Sequence, residues 1–197
     1  SVLSQGRWVK IRVAQTGIYK LTFAELQKMG FANPAAVSVY GYGGWPLDED
    51  FRQPYADDLP QAAVYKGDNY LLFYGRGPVK WSYSTSLATF VHENNPYSSY
   101  GYYFLSDTSP VKTLAKETSV TGASLQVNRY DGYFVHEKDQ VSVNKSGREL
   151  FGESFSLNTG QTFPFAVPGI TDDPAKISFR FIAKPTTGQA LVILTAG

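Results

Sequence analysis

The sequence predicts an all-β domain, an antiparallel β-sandwich of jelly-roll type with one short helix near the N-terminus. Three observations carry that expectation. Aromatic residues reach 15%, with 14 Tyr and 13 Phe. Gly 18 and Pro 11 supply many turns, while Met 1 is unlike a helical bundle. Short apolar runs recur along the chain with turn residues between them, the pattern of many short strands. Hydrophobic residues make up 43% of the 197 positions, enough for a sizeable core. Disorder, collagen and coiled coil are excluded by the same composition.

Trp8, Lys10 and Arg12 alternate with Val9, Ile11 and Val13, so this segment reads as a half-buried strand. Thr16-Gly17 makes a turn, and Ile18 to Leu21 forms the next strand. Thr22 is a good helix N-cap, with Glu25 three residues on completing a capping box. The helix runs from Phe23 to Met29 and closes at Gly30, with Phe23, Leu26 and Met29 on one face. Ala36 to Tyr40 and Tyr70 to Tyr74 read as buried strands, each running into a glycine turn, Gly41-Tyr-Gly43-Gly44 and Gly75-Arg-Gly77-Pro78. Trp45 to Lys66 is loop-like. Tyr97 to Leu105 is a tyrosine-rich strand. Ser124 to Val135, Phe151 to Leu157, Ile177 to Ile182 and Ala190 to Leu194 return to β character. The expected layout is an N-terminal β subdomain over 1–107 with the helix and its cap at 22–29, a loop or boundary over 108–123, and strands over 124–197 that complete the sandwich or open a second, truncated one. The chain stops at Gly197 directly after a strand-like run, which suggests a truncated product.

Charged residues are only 18% and the formal net charge is +1. Nucleic acid and polybasic membrane binding lose their long-range pull at that balance. No run of 18 apolar residues occurs, so the chain is not expected to span a membrane, and Ser1 to Lys10 lacks an apolar signal core. Either a cytosolic protein or an exported one with its signal removed fits. Cysteine is absent, which removes disulfides, thiolate metal sites and a cysteine nucleophile from this chain.

The two histidines, His92 and His136, each precede a glutamate. A zinc protease needs a second His four residues on, and Pro96 and Gln140 stand there instead. No G-x-S-x-G elbow occurs, and the glycine turns lack phosphate-loop spacing. No catalytic set is therefore expected. Asp48, Asp50, Asp57 and Asp58 are candidate calcium ligands, set against the plainer reading of a solvated acidic loop. Trp45, Trp81, Tyr97, Tyr100 and Tyr102 are candidate ligand-binding aromatics, since sugar rings stack on exposed ring faces; the alternative is core filling. Arg148 lies in sequence among Glu137, Asp139, Glu149 and Glu153. Its planar fork suits carboxylates, so this set is a candidate structural or inter-domain ion-pair cluster.

The ordered segments W-V-K-I-R-V-A-Q-T-G-I-Y-K-L-T (8–22), V-Y-G-Y-G-G (39–44), D-D-L (57–59), G-D-N-Y-L-L-F-Y-G-R-G-P-V-K-W (67–81), F-V-H-E-N-N-P-Y-S (90–98), G-Y-Y-F-L (101–105) and S-G-R-E-L-F-G-E-S-F (146–155) carry a resemblance. They resemble the N-terminal non-catalytic region of the gingipain-like cysteine peptidases of Bacteroidetes, nearest to the sortase of the type IX secretion system. The resemblance implies an exported, surface or outer-membrane-associated protein, with a β-rich region ahead of a peptidase domain that uses a His/Cys pair. No catalytic residue carries over: there is no cysteine, and both histidines precede glutamate where the family has glycine. What it implies is a pro-domain-like accessory module that packs on a downstream peptidase domain in the same chain. Surface secretion machinery, or a protein or glycan ligand, are further partners it allows. A stand-alone surface module for glycan or peptide is the alternative. No cofactor is expected apart from the candidate calcium.

Overall fold

The alternation at the start of the chain does produce a strand, and the remaining elements follow in close succession. A computed structural model describes residues 1–54, 57–115, 122, 124–143, 145, 150–155 and 160–183. The chain divides into two units, Ser1–Val127 and Asn128–Gly197.

In the first unit the strands are β1 (Val9–Val13), β2 (Gly17–Thr22), β3 (Ser38–Gly43), β4 (Gln61–Ala62), β5 (Val64–Lys66), β6 (Tyr70–Gly75), β7 (Val79–Ser84), β8 (Thr89–Asn94) and β9 (Gly101–Ser106), with helix α1 (Phe23–Lys28) after β2. One sheet has the order β1-β9-β3-β4, a second β2-β6-β5, and β7-β8 is a two-stranded ribbon. Every pairing between these strands is antiparallel. The all-β expectation therefore holds at the level of antiparallel sheets with little helix.

The register explains the core. Val9, Ile11 and Val13 stand opposite Leu105, Tyr103 and Gly101. On β6, Leu71 and Phe73 alternate inward while Leu72 and Tyr74 face the other way, as a period of two requires. Val13, Val39, Tyr103 and Leu105 of the first sheet meet Val64, Leu71 and Phe73 of the second, together with Leu26, Phe31 and Val37. The Tyr70–Tyr74 strand is thus half-buried rather than wholly buried, because only one of its faces meets the core.

Helix α1 forms where the cap predicts. The Glu25 amide donates to Thr22 Oγ1 at 3.2 Å, and the Thr22 amide donates to Glu25 Oε2 at 2.8 Å. Leu26 is buried, with Phe23 and Met29 packed against the same core. Gly30 takes the left-handed φ of +93° that ends the helix.

In the second unit, Val141 and Phe151 form an antiparallel bridge, each amide donating to the other's carbonyl at 2.8 Å. Segments 124–135 and 177–182, expected as strands, form no strand ladder among the described residues. Alternation creates a strand only where an adjacent strand takes the backbone N–H and C=O groups. Leu157 and the run from Ala190 to Leu194 lie outside the described residues.

Candidate functional site

The β4–β5 segment passes from the first sheet to the second at Ala63, and a groove of about 610 Å³ opens beside that crossing. Its wall is the outward face of the second sheet. Ile18 stands opposite Tyr74, and Tyr65 opposite Leu72, so these four side chains share that face. The Val64 amide donates to the Lys112 carbonyl and the Leu114 amide to the Val64 carbonyl, both at 2.8 Å, which brings Leu114 to the rim. Ile18 is 68% exposed and Tyr74 50%.

Polar groups gather where the first sheet contributes. Tyr42 donates its hydroxyl to the Asp58 carbonyl at 2.8 Å. The Arg76 amide donates to the Tyr103 hydroxyl at 2.9 Å. Burial, the largest influence on it, pushes the Tyr103 phenol above its ordinary value of 10.0, so it stays neutral. The Arg76 guanidinium lies 4.5 Å from the centre of the Trp45 ring. Trp45 Nε1 is buried and has no acceptor among the described residues.

The five candidate aromatics do not form one platform. Tyr102 lies on the outward face of β9 opposite Arg12, and Tyr100 stands just before the strand. Lys10 Nζ sits 3.9 Å above the Tyr102 ring, and the Arg12 guanidinium 4.6 Å from that of Tyr100. Trp81 lies on the β7–β8 ribbon against His92, ring centroids 5.2 Å apart, and Tyr83 meets Phe90 on the same face at 5.3 Å. Trp45 lies under Arg76. Tyr97 is 90% exposed in the turn before β9.

The acidic positions take separate partners. Asp50 holds Arg52 through two bonds of 2.8 and 2.9 Å. Asp48 accepts from the Asp50 amide at 2.9 Å. Asp58 accepts from the Leu59 and Val2 amides, which hold its carboxyl below the ordinary 3.8, and from the Ser1 hydroxyl. Asp57 is exposed. Among the described residues no group of three or more His, Cys, Asp or Glu side chains converges as a metal site would require.

Of the expected ion-pair cluster, Arg148 and Glu149 lie outside the described residues. Glu153 pairs with His136 at 2.8 Å and Lys138 at 3.1 Å. Glu137 and Asp139 are exposed. The His136 hydrogen bond, then that of Lys138, holds the Glu153 carboxyl below its ordinary 4.5 against the opposing effect of desolvation.

Ile18, Tyr65, Leu72, Tyr74 and Arg76 were not singled out by motif or spacing. The available signal was a strand apolar on both faces, Tyr70 to Tyr74, which marks a surface that covers more than the core.

No family model matches the chain, and no curated protein matches it. Among solved structures, the chain is similar to the crystal structure of dimeric latent PorU from Porphyromonas gingivalis, with a TM-score of 0.70 and 42% identity. The match covers 79% of this chain and 15% of that one, so the match spans under a sixth of the protein it resembles. No helix among the described residues is long and apolar enough to cross a membrane. At this identity the likeness exceeds a shared fold, and the chain is related to a region of PorU.

Proposed function

We propose that this chain is a non-catalytic, pro-domain-like accessory module of an exported gingipain-like peptidase or type IX secretion sortase. It packs against the downstream catalytic domain and positions or shields its active site. The observation that carries the reading is the 42% identity to a stretch amounting to 15% of PorU, in a chain that has no cysteine to serve as nucleophile. A module of this kind supplies packing surface rather than chemistry. The two-sheet core that joins Phe73 to Tyr103 supports a sandwich, within which the jelly-roll connectivity and the 1–107, 108–123 and 124–197 layout are part of the proposal. A surface or outer-membrane-associated location follows from the same kinship. The solved relative is described as latent, a state in keeping with a module that shields a catalytic site.

The alternative is a stand-alone surface module for glycan or peptide, and its glycan form draws less support. A sugar would stack on open ring faces, and Lys10 and Arg12 already lie over Tyr102 and Tyr100. The test is deletion of residues 1–127 from the full-length protein. Loss of peptidase folding, or altered access of peptide substrates, is expected. Unchanged expression and unchanged activity would refute the accessory role.

A further inference from the structure

We propose that the groove beside the β4–β5 crossing binds an extended peptide segment that carries a carboxylate next to apolar side chains, with Arg76 as the group that reads the charge. The volume of about 610 Å³ lies in the range of roughly 300–1,000 Å³ usual for ligand sites. The wall formed by Ile18, Leu72, Tyr65, Tyr74 and Leu114 is apolar and aromatic. Among the described residues, Arg76 is the one charged side chain in the lining and no carboxylate pairs with it.

Its position is fixed without using its charge-reading edge. The backbone amide is anchored on the Tyr103 hydroxyl, and the guanidinium rests on the Trp45 ring at 4.5 Å. A guanidinium stacked on a ring keeps its N–H fork in the ring plane's neighbourhood, available for bidentate contact with a carboxylate. Arg76 is exposed. An exposed guanidinium with no carboxylate partner among the described residues, beside an apolar wall, complements an acidic, partly apolar peptide. This inference stands on the groove itself and does not depend on which protein supplies the segment.

The experiment uses the whole 197-residue chain and three fluorescent pentapeptides of valine and phenylalanine. One has a central aspartate and an amidated end, one a central asparagine and an amidated end, and one the asparagine with a free C-terminal carboxylate. Fluorescence anisotropy should show the aspartate or the free-carboxylate peptide binding at least about tenfold tighter than the uncharged one, the difference expected for a charged hydrogen bond. Which of the two gains identifies the side-chain or terminal source. Arg76→Gln, with its backbone bonds intact and its melting temperature checked, should erase the preference. Equal binding of all three peptides, no binding at millimolar concentration, a preference that survives Arg76→Gln, or binding of an oligogalacturonate in place of the peptides would overturn the proposal.

Discussion

Phe73 and Tyr103 meet edge to face, ring centroids 5.2 Å apart, one ring from each of the two larger sheets. Phe73 also stacks on Tyr19 at 5.7 Å, so it joins three strands through two rings. Phe73→Ala should cost roughly 3–5 kcal/mol, the usual range for emptying a buried Phe site. Tyr103→Phe keeps the ring contact and removes the acceptor of the Arg76 amide, so it should cost about 1 kcal/mol. Urea denaturation of both variants checks the ranking. A Tyr103→Phe loss equal to that of Phe73→Ala would contradict the view that the rings, not the hydroxyl, join the sheets.

The capping box makes a pH-dependent prediction. The Thr22 hydroxyl, then its amide, hold the Glu25 carboxyl below the ordinary 4.5. Its folded value is therefore the lower one, and the linked stability is present above pH 4.5 and lost as pH falls through the folded value. Thr22→Ala should destabilise by about 1 kcal/mol at neutral pH. The gap between wild type and Glu25→Gln should close on acidification. A gap independent of pH, in thermal melts taken across that window, would count against the box.

How legible the fold was differs from element to element. Val9, Ile11 and Val13 announced an inward face, and Thr22 with Glu25 announced the helix start, because both signals are local. Strand order was not legible: β1 pairs with β9, some ninety residues away, and no local pattern specifies that partner. The β7 strand was legible but not used: Val79, Trp81 and Tyr83 alternate with Lys80, Ser82 and Ser84. At the candidate site, Trp45 was named for its ring, but its relation to Arg76 depends on a turn meeting a strand end. Glu153 was named as a neighbour of Arg148, which lies outside the described residues. Its described partners are His136 and Lys138 rather than arginine, since residues two apart on an extended chain share a side.

Glu153 gives a second titration to follow. Its carboxyl should show an NMR midpoint below 4.5, with Phe163 ring resonances moving together with it, because the Phe163 ring lies 4.7 Å from that of His136. Its contribution to stability is present above pH 4.5 and declines as pH falls through the folded midpoint. Glu153→Gln should abolish the coupled Phe163 shift. A midpoint at or above 4.5 would contradict the pairing.

Gly43 ends β3 at a φ of +81°, and a Cβ there would stand 2.7 Å from both Arg76 Cβ and the Tyr103 hydroxyl oxygen. Gly122 has a similar φ of +83° with nothing among the described residues within 4 Å. Gly122→Ala should cost only the left-handed penalty of about 1–2 kcal/mol. Gly43→Ala should cost more and shift the Tyr103 hydroxyl off Arg76. Equal losses in melting temperature would mean that close packing at Gly43 adds nothing.

The central claim is that this chain is one module of a much larger exported peptidase-type protein. The most direct test is the intact mass of the native gene product, measured by mass spectrometry from the source cells. The account predicts a species several times heavier than 21.8 kDa that carries a cysteine and a histidine beyond this sequence. A native product near 21.8 kDa would contradict it.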